Sequence, residues 1–175
     1  PDGSGVFKCC PPIRDGANRD LLWEGVLDGT IAAIVSDHSP ATAYLKQHSD
    51  LGVAWGGIAG VQTGLSAVWT EARRRGIPLE SILPLFTTGP ADLVRLADRG
   101  RIAVGAPAHL AVFDPDLPVT VDAAELEYRN KLSPWHGAEL TGAVTETWLH
   151  GAPIYRRGAG VLARSGRDVL AGGAA

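Results

Sequence analysis

Two adjacent side chains, Asp37 and His38, could do acid–base or metal chemistry near neutral pH. They close an apolar run, Ile31-Ala32-Ala33-Ile34-Val35, after a single serine, and Ser39-Pro40 follows. A carboxylate in that place can hold a hard cation, or take a proton and give it back. It can equally be a structural hydrogen-bond acceptor. Cys9-Cys10 offers two thiols, each a metal ligand or nucleophile in isolation. No further cysteine completes a zinc site, and no base stands at a fixed spacing from them. Gly56-Gly57 either lets a ligand approach the main chain closely or simply opens the helix that follows. His48, His109, His136 and His150 show no ligand spacing with each other or with His38, and read as surface or packed histidines.

The elements that must position these residues follow from period and punctuation. Ile31–Ser36 is strand-length, and apolar on both faces, as in a parallel sheet covered by helices. Asp37 and His38 then leave the sheet at the strand's C-terminal end, which carries the active site in an α/β barrel. Val6–Cys10 reads as a short strand ended by Pro11-Pro12. Ala17–Asp28 reads as a helix, with Leu22, Val26 and Leu27 as its buried stripe and Trp23 beside them. Strand, helix and strand over thirty residues predict a parallel βαβ crossover. Ser39–Trp55 has little apolar period and reads as a long, mobile loop. Val61, Leu65, Val68 and Ala72 mark a helix that runs to Arg73-Arg74-Arg75-Gly76, whose arginines read as a solvated helix end. Short helices follow at Leu79–Phe86 and Ala91–Ala97, with Thr88-Gly89-Pro90 as a break.

Near Asp98 the texture changes to short strands and turns, at His109–Phe113, Pro118–Val121, Ala143–His150 and Pro153–Tyr155. The expected organisation is residues 1–97 as part of a barrel, 98–164 as a β-rich subdomain, and 165–175 as a disordered tail.

The composition is ordinary: 175 residues, 45% hydrophobic, 20% charged, net charge −3. Without a basic excess, nucleic acid is not an expected partner. No apolar run approaches the ~20 residues that span a bilayer, so no membrane association is expected either. The first residues lack the charged and apolar regions of a signal peptide. Adjacent cysteines suit a reduced, cytoplasmic protein better than a structural disulfide. The sequence holds no methionine, at its start or elsewhere, which fits a chain cut from something longer or one whose start residue is removed by processing.

Val35-Ser36-Asp37-His38-Ser39-Pro40 resembles the eighth-strand motif of the cyclic amidohydrolases, and most closely that of their allantoinase branch. The likeness extends through Lys8–Asp15, Ala54–Gly60, Gly100-Arg101-Ile102 and Glu127–Pro134, covering roughly Phe7 to Tyr155, most of the chain. It implies the last part of such an enzyme. The fold would be α/β: an incomplete (β/α)8 barrel, with its last two strands and following helices, plus a partial β-sandwich. The implied reaction is metal-dependent hydrolysis of allantoin or a related cyclic ureide, in purine breakdown. The family uses two zinc ions per site in the full-length parent, which would be a homo-oligomer.

By the same resemblance Asp37 is catalytic and a metal ligand, both zinc-binding and proton-shuttling. His38 would support it. Cys10, where the family usually has serine, and Gly56 would hold the ring amide through their backbones. The family's other metal ligands lie upstream of anything in this sequence, so the chain alone should be inactive. Ala108-His109 replaces the usual Ala-Asp and should touch only packing. The alternatives are a hydantoinase or dihydropyrimidinase, which usually carries Asn-Gly at Gly56-Gly57, a non-catalytic module of the same fold, or a truncated product.

Overall fold

The computed structural model describes residues 4–167, so most of the expected tail lies outside the described residues. A 3-10 turn at Gly5–Phe7 leads into α1 (Gly16–Leu27), α2 (Ala43–Lys46), α3 (Gly64–Arg74), α4 (Leu79–Phe86) and α5 (Thr88–Leu93). The strands follow: β1 (Leu110–Thr120), β2 (Glu139–Leu149), β3 (Ala152–Arg156) and β4 (Gly160–Val161). They form one antiparallel sheet in the order β1-β2-β3-β4.

Local chemistry sets these boundaries. The Asp15 carboxylate accepts from the Asn18 N–H at 2.9 Å and so caps α1. Trp23 and Val26 pack inward from α1, but Leu21, Leu22 and Leu27 are exposed, so the expected stripe is only partly covered. Helix α5 starts at Thr88 and takes Gly89-Pro90 into its first turn. Proline is tolerated there because its missing N–H would have no acceptor in any case. Strand β1 likewise runs through Asp114-Pro115, joining what the sequence suggests are two strands. A register shift between Asp114 and Pro118 absorbs the prolines, which cannot donate to a regular ladder.

The expected strand at Ile31–Ser36 belongs to no ladder, and Val6–Phe7 lies in the 3-10 turn. No parallel βαβ pair forms among the described residues; the parallel pairing there is one bridge, His38 to Ile58. Apolar side chains favour burial, but a strand also needs a neighbour with a matching row of N–H and C=O groups. Here the Ile34 N–H donates to the Leu85 carbonyl at 2.8 Å, while Val35 is 69% exposed.

The core lies between helices and sheet. Trp69 and Ala72 of α3 pack with Ile77, Ile82 and Leu85, and Phe113 and Ile34 close the edges. Trp69 Nε1–H donates to the Pro115 carbonyl at 2.9 Å, and the Thr141 N–H donates to Thr70 Oγ1 at 2.8 Å. Gly142 lets this contact close. Its φ is +87°, and an added Cβ would lie 2.4 Å from Phe113 Cζ and 2.5 Å from Trp69 Cδ1. Gly142→Ala is therefore expected to cost about 2–3 kcal/mol, from a disfavoured backbone and an overfilled core. A denaturation midpoint equal to that of the unsubstituted chain would contradict this packing.

The arginines that end α3 are not simply a solvated end. Glu71 accepts from Arg74 Nε at 2.8 Å and from Arg75 Nε at 2.7 Å. Arg75 also reaches Asp20 of α1 at 2.5 Å and lies over the Trp23 ring. The Arg74 guanidinium, then Arg75, holds the Glu71 carboxyl down at about 2 against an ordinary 4.5. The folded chain thus binds that proton less tightly than the unfolded chain. The stabilisation is complete above about pH 5 and is lost as pH falls from 4.5 towards 2. Partly exposed as the pair is, about 1 kcal/mol is expected. In an acid titration, Glu71→Gln should flatten the loss of stability across that window; an identical acid slope would refute the link.

Candidate active site

Three distant pieces of chain converge: residues 8–10, 37–39 and 56–58. Cys10 stands directly against Gly56, where a Cβ would meet its Sγ at 2.5 Å. At Gly57 a Cβ would meet the Ser39 carbonyl oxygen, also at 2.5 Å. No side chain fits at either glycine without moving a neighbour. The Gly57 N–H donates to the Lys8 carbonyl at 3.0 Å, and the Ser39 N–H donates to the Ile58 carbonyl at 3.0 Å. Among the described residues, the main-chain N–H and C=O of Cys10 and Gly56 make no hydrogen bond. Two open peptide groups therefore sit side by side, able to pair with the donor and acceptor edges of an amide.

Asp37 is exposed and sits at φ +41°. Few residues other than glycine take such a backbone; Asp and Asn are the commonest exceptions. His38 follows, its ring 5.0 Å from that of Tyr128 and its Nδ1 accepting from the Val61 N–H at 3.4 Å. The Tyr128 hydroxyl accepts from the Gln62 N–H at 2.8 Å, and the Glu127 N–H donates to Gln62 Oε1 at 2.9 Å. Tyr128 itself is buried with Ala59, Val121, Leu126 and Leu140. The Glu127-Tyr128 stretch thus braces the chain that leaves Gly56-Gly57 and supports His38 from behind.

The segment 39–55 is not the structureless loop its composition suggests. It contains α2, and Lys46 at the end of α2 turns inward until only 3% of it is exposed. Its ammonium donates to the carbonyls of Lys8 at 2.7 Å, Trp55 at 3.0 Å and Gly57 at 2.8 Å. Burial pulls this ammonium below the usual lysine range, opposed in part by the thiols of Cys9 and Cys10. The sequence did hold one signal. Of sixteen basic residues only three are lysines, and Lys131 also aims its ammonium at a carbonyl, that of Leu126. A compact ammonium can serve several converging carbonyls where a planar guanidinium cannot.

Three of the remaining histidines make local contacts away from these segments. His109 and His150 meet edge to face at 4.2 Å, and the His150 N–H donates to His109 Nδ1. Burial, then the neighbouring His150, lowers the His109 pKa. His136 Nδ1 accepts from the Ala123 N–H.

The fold of this chain is shared with solved structures of hydantoinases. L-hydantoinase (dihydropyrimidinase) from Arthrobacter aurescens superposes with a TM-score of 0.84 at 30% identity, over 91% of this chain and 36% of that one. The model of the amidohydrolase family matches residues 55–155, and the chain belongs to that family. Among curated relatives, the allantoinase of Streptomyces avermitilis is 51% identical over 90% of this chain and 35% of its own length. The probable allantoinase 2 of Dictyostelium discoideum is 41% identical over 90% of this chain and 32% of its own. The chain thus spans about a third of the length of the curated relatives it matches.

Among the described residues no group of three or more His, Cys, Asp and Glu side chains could hold a metal ion. The residues present therefore do not make a metal centre by themselves, though Asp37 offers one oxygen donor. No helix among the described residues is long and apolar enough to cross a membrane.

Proposed function

We propose that this chain is the C-terminal third of an allantoinase-type cyclic amidohydrolase, acting on allantoin or a related cyclic ureide. The observation that carries the proposal is the meeting of Cys10 with Gly56, both with open backbone groups. A five-membered ureide ring presents alternating N–H and C=O groups at its rim, and two adjacent peptide groups complement that edge. Asp37 takes the proton of the attacking water and hands it to the departing ring nitrogen. One C–O bond forms, the ring C–N bond breaks, and the product is the open-chain acid. His38, fixed between Val61 and Tyr128, keeps Asp37 in place. Two zinc ions per site are the proposed metal complement, with Asp37 as one of their ligands.

The reading includes an incomplete barrel in residues 1–97 and a partial β-sandwich in 98–164. Exposed Leu21, Leu22, Leu27 and Val35 support the first, as large apolar side chains left uncovered among the described residues. Purine breakdown, a homo-oligomeric parent and a cytoplasmic location complete the proposal. The similarity to L-hydantoinase favours a second reading, in which the ring is a substituted hydantoin or dihydropyrimidine.

A substrate panel with the full-length gene product separates the two. The proposal expects kcat/KM for allantoin to exceed that for 5-substituted hydantoins and dihydrouracil. Preference for either of the others would shift the assignment to the second reading.

A further inference from the structure

We propose that Lys46 is the positioning residue of the ring-binding clamp: its ammonium gathers the carbonyls of Lys8, Trp55 and Gly57 and so holds Cys10 and Gly56 side by side. This deepens the reading above and rests on it.

All three N–H donors of the ammonium are used, on two segments far apart in sequence. The Trp55 and Gly57 carbonyls flank Gly56, and the Lys8 carbonyl lies two residues before Cys10. Lys46 therefore takes the carbonyls around the clamp and leaves those of Cys10 and Gly56 free. It also fixes the direction of the Gly56 peptide, since both neighbouring carbonyls are turned inward. Among the described residues no carboxylate pairs with Lys46; the charge is held by peptide dipoles alone. Burying a cation without a counter-charge is costly unless its donors are satisfied, and here all three are. An ammonium suits this place because three carbonyls from separate segments need one shared donor. Nothing at Lys46 reacts with substrate; it acts through the backbone it holds.

The test is Lys46→Met in the full-length gene product with allantoin as the probe. The methionine keeps the length of the stem and removes the donors. KM should rise about tenfold or more, while kcat falls by less than about threefold, the pattern of lost binding without lost chemistry. Exchange of the Gly57 amide, which donates to Lys8, should also accelerate at least tenfold on loss of that frame. A variant with wild-type KM and wild-type Gly57 exchange would overturn the proposal. Should the variant not fold, the unsubstituted protein decides. A caged ammonium exchanges slowly enough to give a Lys46 Nζ–H resonance near neutral pH, and absence of that signal overturns the proposal. If the unsubstituted protein opens no ring, the functional reading fails, while exchange at Gly57 and the Nζ resonance still judge the role of Lys46.

Discussion

Asp37→Asn in the full-length gene product is expected to lower ring opening by about 10²–10⁴-fold, the range for losing a positioned proton-transfer group. Asparagine keeps the shape and also accepts the left-handed backbone that Asp37 holds at φ +41°. Stability should therefore change little, and the loss should appear in kcat and not in folding. The carboxylate is exposed and lies outside both buried clusters, so no packing argument predicts a comparable effect. Measurement of kcat and of the thermal midpoint on one preparation checks both halves. Activity within a few-fold of the unsubstituted enzyme would remove Asp37 from the chemistry.

The second large effect concerns the 175 residues on their own. They are expected to retain well below one equivalent of zinc after dialysis and to form no allantoate above the uncatalysed rate. Zinc sites take three or four protein ligands, and the described residues bring together no group of three. Metal analysis and a product assay on the isolated chain are sufficient. Two tightly held zinc ions, or measurable ring opening, would show that the site lies elsewhere in this chain.

The longer helices α1, α3 and α4 were legible in the sequence because start and stop residues mark their ends, whereas α2 was read as loop and α5 was placed too late. The spacing of Val68 and Ala72 and the Arg73-Arg74-Arg75-Gly76 stop mark α3, and Pro78 stands as the N-cap of α4. The first three strands of the sheet were legible in place but not in length, and the two-residue β4 was not expected. Asp114-Pro115 looks like an ending, and only the pairing of β1 with β2 shows that the strand carries on through a shift in register. Ile31–Ser36 misled for the opposite reason. Its pattern is that of a buried strand, but a strand is a relation between two chains of peptide groups, and the sequence of one says nothing about the presence of the other. At the candidate site, Asp37, His38, Cys10 and Gly56 are named through their resemblance to a family. Lys46 was not singled out, because the scarcity of lysine is the one cue and its polar stretch does not say whether it faces water or three carbonyls. Only the distances from its Nζ distinguish the two.

The central claim is that this chain contributes the proton-transferring carboxylate and the ring clamp of a ureide-opening hydrolase. Its most direct test is incubation of the zinc-loaded full-length gene product with allantoin in isotopically labelled water. The account predicts allantoate bearing a single labelled oxygen in its new carboxylate, formed far above the uncatalysed rate and almost absent with Asp37→Asn. Failure of the unsubstituted enzyme to open the ring, or ring opening without incorporation of solvent oxygen, would contradict it.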